Sequence, residues 1–263
     1  MSQPATGGDL LIERDGSTAI VTFNRPDARN AMTFEMYEGL HDACERFDAD
    51  PEVRVVVLRG AGTKAFVTGT DIRQFLDFTT AEHALEYEAR VSRVLKRVVA
   101  MTKPTIAMVQ GDAVGGGLGM AIACDLRIAA SHARFGIPIA RTLGNIVAPT
   151  GVALLAATVG PVRAREILLT ARLLDAAEAK AIGLVDEVHP AEALESRVRE
   201  LAAHLATLAP LTLAGVKEYG RRLLEAFTVK DAEDIILSCY LSEDFKEGVR
   251  AFLEKRKPRW QGR

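Results

Sequence analysis

A short apolar run that passes through a glycine cluster into an apolar helix constrains this chain more than any other stretch. Residues 103–125 read KPTIAMVQGDAVGGGLGMAIACD. The run 105–109 is apolar and bounded by Pro104 and Gly111, which is typical of a strand buried on both faces. The segment 118–123 has no polar stripe, which indicates a buried helix. This stretch therefore predicts a strand and a helix at the centre of the fold.

The glycines of this stretch are compatible with two roles. Residues 115–117 are all glycine, and glycine lets the backbone approach a ligand closely, next to the free N–H groups that begin a helix. Tight packing of strand against helix would explain the same residues, and the pattern alone leaves both roles open. A second glycine-bearing loop, 60–71, follows the β-branched strand 53–58. Two N–H groups from two such loops, aimed at one oxygen, would stabilise an oxyanion or enolate.

Composition excludes several classes of protein. The 263 residues are 48% hydrophobic and 26% charged, with a net charge of −2, which is typical of a globular protein and argues against nucleic acid or an anionic membrane as partner. The three cysteines are far apart, so neither a disulfide framework nor a metal or redox motif is indicated, and a cytoplasmic, reducing location is predicted. We expect no signal peptide and no membrane span.

The order of predicted elements indicates a mixed α/β protein. Asp15 and Gly16 predict a hairpin, and Thr33 and Thr80 are placed to begin helices. Strands fill about the first seven-tenths of the chain and helices the rest, which favours an α/β core with a helical extension. We therefore predict a core at residues 1–205 and a helical C-terminal region at 206–263.

Several catalytic motifs are missing. Met120 stands three residues after Gly117, so the cluster lacks the G-x-G-x-x-G register of dinucleotide sites. The sequence also lacks a P-loop, a G-x-S-x-G elbow and an H-E-x-x-H pair. We expect no metal site and no prosthetic group.

Five segments carry a resemblance to a known family: 24–32, 62–72, 103–138, 170–188 and 247–260. In their order and spacing the chain resembles the crotonase (enoyl-CoA hydratase/isomerase) superfamily over nearly its full length. The resemblance implies a spiral of β-β-α units with a C-terminal helical trimerisation region, assembled as a homotrimer or a dimer of trimers. It also implies an enzyme of the lyase or isomerase type in fatty acid metabolism.

The resemblance further implies a coenzyme A thioester as ligand, with coenzyme A as part of the substrate. The backbone N–H groups of Thr70 and Gly116 would hold its carbonyl oxygen. Asp71, beside the first donor, would order the binding loop. The family places the CoA adenine and phosphates near Arg25, Ala28 and Arg29, together with Phe252 and Lys255 from an adjacent subunit.

The sequence departs from the family at the acids that move protons. Family hydratases use two glutamates, but Gly119 stands at the first position and Ile139, or Ala140 if the loop is shifted by one residue, at the second. Single-glutamate isomerases keep the second acid, so that mechanism is lost as well. General acid–base catalysis contributes roughly 10²- to 10⁴-fold, and we predict that the protein is not an efficient hydratase of simple enoyl-CoA.

Few residues offer a replacement. Arg141, Thr142 and Asn145 follow the vacant second position; Arg141 cannot act as a base but could hold a substrate carboxylate. Glu82 and Glu86 fall on the helix that borders the family's acyl pocket, although an exposed helix face explains them as well.

Three functions stay open: decarboxylation or C–C cleavage of a polar acyl-CoA, isomerisation or hydration with an acid from Glu82 or Glu86, and catalytically silent acyl-CoA binding or subunit assembly.

Overall fold

The computed structural model describes residues 8–263. Along the chain the elements are β1 (Leu10–Asp15), β2 (Thr18–Phe23), α1 (Phe34–Ala49), β3 (Val55–Gly60), β4 (Ala65–Val67), α2 (Ala81–Val99), β5 (Thr105–Val109), β6 (Asp112–Val114), α3 (Gly116–Ala123), β7 (Leu126–Ala130), β8 (Arg134–Gly136), α4 (Ile139–Thr142), α5 (Pro149–Val159), α6 (Pro161–Thr170), β9 (Leu174–Asp175), α7 (Ala176–Ala181), β10 (Glu187–His189), α8 (Ala191–Thr207), α9 (Pro210–Glu225), α10 (Glu233–Tyr240) and α11 (Glu243–Leu253). Short 3₁₀ helices occupy Pro26–Ala28 and Ile72–Phe75.

The strands form two sheets. The larger has the order β1-β2-β3-β5-β7-β10 and the smaller β4-β6-β8-β9. Only the outer pairs β1–β2 and β8–β9 are antiparallel; all other neighbouring strands run parallel. Parallel strands require helical crossovers, which cover the sheet faces. The predicted α/β core is therefore built from two sheets.

The central strand and helix lie where the sequence places them. All five residues of β5 are buried, with β3 and β7 on either side, as expected of an apolar strand without alternation. In α3 every residue from Gly117 to Ala123 is buried. Gly117 is required there, because a Cβ at this position would lie 1.9 Å from the Val67 carbonyl oxygen. Close packing of α3 on β4 thus explains one of the three clustered glycines.

The two large helices before the glycine turn begin at side-chain caps. The hydroxyl of Thr33 accepts from the Met36 N–H, and that of Thr80 accepts from the His83 N–H, which satisfies one free N–H group in each first turn. Both helices bury an apolar face in the main core. Helix α8 covers the opposite face of the larger sheet through Leu194 and its neighbours.

The last two helices pack on the core rather than extending from it. Tyr240 of α10 and Phe245 of α11 are buried in the same hydrophobic cluster as β2 and α1, and ring contacts connect them to Phe75 and Tyr87. Residues on both sides of position 206 therefore contribute to one hydrophobic core. Helix α9 differs, because none of its residues is buried.

Within residues 8–263, no helix combines the length and apolar character that a membrane crossing requires.

Candidate active site

A cavity of ≈ 990 Å³ opens between the glycine turn, helix α2 and the end of α11. Thr70 and Gly116 lie on its wall, as does the loop that follows β8. A cavity of this volume is at the upper end of the range of small-molecule sites. Its inner wall is mostly apolar and includes Val91, Leu95, Ile137, Ile139, Leu143, Ile146 and Val147.

Two backbone N–H groups are available to a ligand at this wall. Within the described residues, neither the Thr70 N–H nor the Gly116 N–H donates to a protein acceptor. The loops that carry them touch, because a Cβ added to Gly116 would lie 3.6 Å from the Gly69 Cα. Gly69 and Gly115 adopt φ values of 91° and 59°, which favour glycine. The chain thus needs glycines to present both donors, and these donors also lie at the positive end of α3.

The Thr70 side chain is fixed from two directions. Its Oγ1 shares hydrogen bonds with the Tyr37 hydroxyl and the Tyr87 hydroxyl, each at 2.8 Å. Burial is the main reason that the pKa of Tyr37 is raised to about 12 and that of Tyr87 well above its ordinary value. These hydroxyls stay protonated at neutral pH and hold the Thr70 backbone in place.

Asp71 and Arg25 form a clamp behind the same loop. The Arg25 guanidinium donates to Asp71 Oδ2 at 2.9 Å and pairs with Asp9 at 3.2 Å. Asp71 also caps the 3₁₀ helix and pairs with Arg73. Hydrogen bonds from Arg73, then from Arg25, hold the pKa of Asp71 well below its ordinary value. Arg25, expected to bind CoA, is only 14% exposed at its side chain and does not line the cavity; it orders the Thr70 loop.

The cavity mouth carries the remaining residues expected to bind CoA. Ala28, Arg29 and Lys255 line it, and Arg29 and Lys255 are exposed. Phe252 also lines the cavity. The resemblance places Phe252 and Lys255 on an adjacent subunit, whereas in the described chain they lie at the cavity of their own chain, because α11 packs against the 3₁₀ helix that ends at Phe75.

The two positions of the family's glutamates both face the cavity. Gly119 and Ile139 are lining residues. A Cβ at Gly119 would meet only Leu95 side-chain atoms, the nearest at 3.7 Å, which is ordinary van der Waals contact. The first position therefore has room for a Cβ, and no acid occupies either position in this sequence.

An unexpected carboxyl group lies on the cavity wall. Glu88 of α2 lines the cavity and is 5% exposed. The Tyr240 hydroxyl donates to its Oε1, and Asn145 Nδ2 donates to the Tyr240 hydroxyl oxygen at 3.0 Å. Burial raises the pKa of Glu88 from its ordinary 4.5 to about 7, although the Tyr240 hydrogen bond opposes that shift. Asn145 Oδ1 is buried without a hydrogen-bond partner.

The structure separates the other acid–base candidates from this wall. Glu82 and Glu86 are exposed and do not line the cavity, so the placement of these glutamates beside the acyl pocket is corrected. Arg141 is exposed on α4 and is also outside the lining, because the four-residue helix turns it to the surface. Thr142 and Asn145, in contrast, line the cavity.

Sequence reasoning missed Glu88, Tyr240 and Arg73. Glu88 was recognisable in principle, since it falls on the apolar stripe of α2 together with Ala84, Val91 and Leu95 and a glutamate on such a stripe is unusual. Nothing in the sequence places Tyr240 beside it, because 152 residues separate the two. Arg73 lines the cavity mouth next to Asp71.

Known proteins resemble the chain over nearly its whole length. A family model described as enoyl-CoA hydratase/isomerase matches residues 13–263. A crotonyl-CoA hydratase of Syntrophomonas wolfei is 36% identical, covering 95% of this chain and 96% of that protein. The crystal structure of an enoyl-CoA hydratase/carnithine racemase from Magnetospirillum magneticum is 38% identical with a TM-score of 0.80, covering 98% of this chain and 97% of that one. A methylmalonyl-CoA decarboxylase complexed with 2S-carboxypropyl-CoA is 31% identical with a TM-score of 0.88, covering 98% and 100%.

These similarities confirm the predicted fold class. The neighbours share the α/β architecture with its mainly parallel sheet and numerous helices, and their match extends through the C-terminal helices.

Proposed function

Because the chain belongs to the enoyl-CoA hydratase/isomerase family, we propose that it is an acyl-CoA enzyme that stabilises a thioester enolate at the Thr70 and Gly116 N–H groups. The observation that carries this proposal is the pair of unpaired donors on one cavity wall. Donors fixed before the reaction stabilise the charge that develops on the carbonyl oxygen. Removing one such donor typically costs ~3 kcal/mol of transition-state stabilisation.

The cavity favours a coenzyme A thioester with an apolar acyl group. Arg29, Arg73 and Lys255 give the mouth a positive character suited to the CoA phosphates, and the inner wall is mostly apolar. Arg25 belongs to the loop clamp in this proposal and is replaced by Arg73 in phosphate binding. In this proposal Ala28 and Phe252 contact the adenine portion of coenzyme A.

We further propose that hydration of simple enoyl-CoA is not the main activity. Hydration needs one group to activate water and another to protonate carbon, and Gly119 and Ile139 supply neither. The reaction is instead of the lyase or isomerase type, in which the enolate is formed without added water.

A mass-spectrometric experiment tests both parts of the proposal. The protein is incubated in D₂O with 3-hexenoyl-CoA, butyryl-CoA and, separately, crotonyl-CoA. We expect deuterium to appear at C2 of at least one thioester. We also expect crotonyl-CoA to be hydrated at least 10²-fold more slowly than by a hydratase that has both glutamates. No incorporation from any thioester would contradict enolate formation, and efficient hydration would contradict the second part.

Decarboxylation is a second candidate, favoured by the likeness to methylmalonyl-CoA decarboxylase. Loss of CO₂ from a malonyl-type thioester forms the same enolate without a base, and an apolar wall disfavours the carboxylate that is lost. Arg141 no longer supports this reaction, since its side chain is outside the cavity. Release of CO₂ from methylmalonyl-CoA at a rate that depends on Gly116 would favour this candidate over proton transfer.

The proposal also includes a homotrimer or dimer of trimers in the cytoplasm. Helix α9 has no buried residue and exposes Leu211, Val216, Tyr219 and Leu223. An apolar face of this kind is typical of a subunit contact, and a second copy of this chain is the partner that we propose.

A further inference from the structure

Glu88 is a buried carboxyl group on the cavity wall, separate from the Thr70 and Gly116 N–H groups. It lies on the cavity wall at 5% exposure, on a helix whose other buried residues are apolar apart from the Tyr87 hydroxyl. A carboxyl group is costly to bury, and no cation within the described residues pairs with it. Such a group is unusual in a core and typical of a site that moves protons.

Glu88 is held by a chain of polar groups from two other elements. Tyr240 of α10 donates to the carboxylate, and Asn145, from the loop after α4, donates to Tyr240. The rings of Phe78 and Phe245 pack against Tyr240 and exclude water from this side. One carboxylate oxygen is therefore fixed, and the carboxyl group still borders the cavity.

Asn145 gives a second, independent indication that a ligand approaches here. Its Oδ1 is buried without a partner although the residue lines the cavity. A buried acceptor without a donor costs free energy unless a ligand or water supplies one. The amide and the carboxyl group are thus polar features of a mostly apolar wall.

We propose that Glu88 is the acid–base group of this enzyme, with Tyr240 and Asn145 as positioning residues; this inference rests on the proposed enolate function. The Glu88 carboxylate takes the proton from C2 of the acyl thioester. The electron pair of the broken C2–H bond forms the C1–C2 double bond, and the negative charge moves to the thioester oxygen at Thr70 and Gly116.

The proton then returns from the same group. Delivery of the same proton to C2 only restores the substrate, whereas a carboxyl group that has first exchanged its proton with the solvent places a solvent proton at C2. Delivery to C4 of a 3-enoyl thioester moves the double bond to C2–C3 and restores the carbonyl. Both outcomes conserve atoms and electrons and need no co-reactant. One carboxyl group is enough to take and return the proton. The reaction that we assign to the enzyme is therefore isomerisation of apolar 3-enoyl-CoA thioesters by proton transfer.

The rate of this reaction depends on the ionisation of Glu88. The titratable groups that face it within the described residues are Tyr37, Tyr87 and Tyr240, whose pKa values are all raised by burial. None of them titrates near neutrality. Since the carboxylate is the reactive form and the pKa of Glu88 is about 7, exchange is expected to rise with pH and level off above that value.

The experiment measures deuterium incorporation at C2 of 3-hexenoyl-CoA, in D₂O, as a function of pH. Glu88→Gln keeps the size of the side chain and removes the base. We expect it to lower exchange by 10²- to 10⁴-fold while the dissociation constant of 3-hexenoyl-CoA changes less than threefold. Glu86→Gln is the matched control, because Glu86 is exposed on the same helix, and should exchange at the wild-type rate.

Tyr240→Phe tests the positioning role. Loss of the donated hydrogen bond destabilises the carboxylate, so the midpoint of the pH profile is expected to rise by about one unit. A merely structural role would lower the rate at every pH without moving the midpoint.

The exchange rates distinguish the role of Glu88 from enolate formation itself. If the wild-type protein exchanges, and Glu88→Gln exchanges within threefold of it, the role of Glu88 is wrong and enolate formation stands. An unmoved midpoint in Tyr240→Phe overturns the positioning role. If the wild-type protein shows neither exchange nor formation of 2-hexenoyl-CoA from 3-hexenoyl-CoA, both this inference and the proposed function are overturned.

Discussion

Single residues of α2 differ sharply in environment although they share one helix. Glu82 and Glu86 are exposed, whereas Glu88 is on the buried face. A shift of two residues along a helix rotates a side chain by about 200° at 3.6 residues per turn, which separates a solvated charge from a cavity-wall carboxyl group. The helix itself could be predicted from its apolar spacing. Which of its glutamates faces the cavity could not be predicted without knowing which face of the helix is buried.

Glu88 is expected to make the stability of the protein depend on pH. Its pKa is 4.5 ordinarily and about 7 in the folded chain, so the free energy of unfolding falls as pH rises between these values. Glu88→Gln removes this dependence. We expect the variant to be more stable than wild type at pH 8, by up to about 3 kcal/mol at ~1.4 kcal/mol per pKa unit, and the advantage to vanish below pH 4.5.

Urea denaturation at several pH values measures this difference. Glu86→Gln serves as the control and should follow the wild-type curve. A Glu88→Gln advantage that stays constant from pH 4.5 to pH 8 would contradict a raised pKa.

The positions of Gly119 and Ile139 predict a gain of function. Both residues line the cavity, and the space beside Gly119 accepts a Cβ. Gly119→Glu combined with Ile139→Glu supplies the two acids that family hydratases use. We expect crotonyl-CoA hydration to increase at least tenfold, measured by formation of 3-hydroxybutyryl-CoA. The double glutamine variant has the same size without the acids, and equal rates in the two double variants would refute the prediction.

At the scale of elements, the glycine turn and the Thr70 loop act as one unit. Gly116 and Thr70 present the donors, and Arg25 and Asp71 hold the second loop from behind. The sequence predicted β5 with its observed bounds and α3 to within two residues, because apolar runs between glycines leave few alternatives. It missed β4 within the loop 60–71 and β6, since strands of three residues depend on pairing with distant partners rather than on a local pattern.

The clamp predicts different kinetics for two neighbouring arginines. Arg25→Ala leaves Asp71 with Arg73 alone and loosens the Thr70 loop. We therefore expect kcat to fall by about 10- to 100-fold with a small change in KM. This fall in kcat is smaller than the fall expected when an N–H donor is lost. Arg29→Ala, at the exposed mouth, is expected to raise KM several-fold and to leave kcat unchanged. Steady-state kinetics with 3-hexenoyl-CoA distinguish the two, and equal effects on KM would show that Arg25 binds phosphate after all.

At the scale of the whole molecule, the C-terminal helices have two roles. Helix α11 and the segment after it contribute Phe252 and Lys255 to the cavity wall, and α10 contributes Tyr240, which donates to Glu88. Helix α9 packs on α5 and exposes Leu211, Val216, Tyr219 and Leu223. The sequence indicated a helical region after residue 205, but which of its helices would return to the core depended on contacts with Phe75 and Tyr87 far along the chain.

The exposed face of α9 predicts assembly. The wild-type protein is expected to have three or six times the mass of one chain by light scattering. Tyr219→Lys with Leu223→Lys places charge on the face and should shift the mass toward that of one chain. Leu76→Lys, an exposed apolar position outside α9, is the control. An unchanged mass in the double variant would show that α9 is not the subunit contact.

The most direct test of enolate formation concerns the Gly116 N–H itself. Gly116 is the first residue of α3, a position where proline fits a helix and lacks only the N–H. Gly116→Ala keeps the donor and, like Gly116→Pro, adds a Cβ. This Cβ would lie 3.2 Å from the Tyr37 hydroxyl. The measurement is deuterium incorporation at C2 of 3-hexenoyl-CoA by both variants. We expect Gly116→Pro to exchange 10²- to 10³-fold more slowly than Gly116→Ala, whereas equal rates in the two variants would contradict enolate stabilisation by this backbone donor.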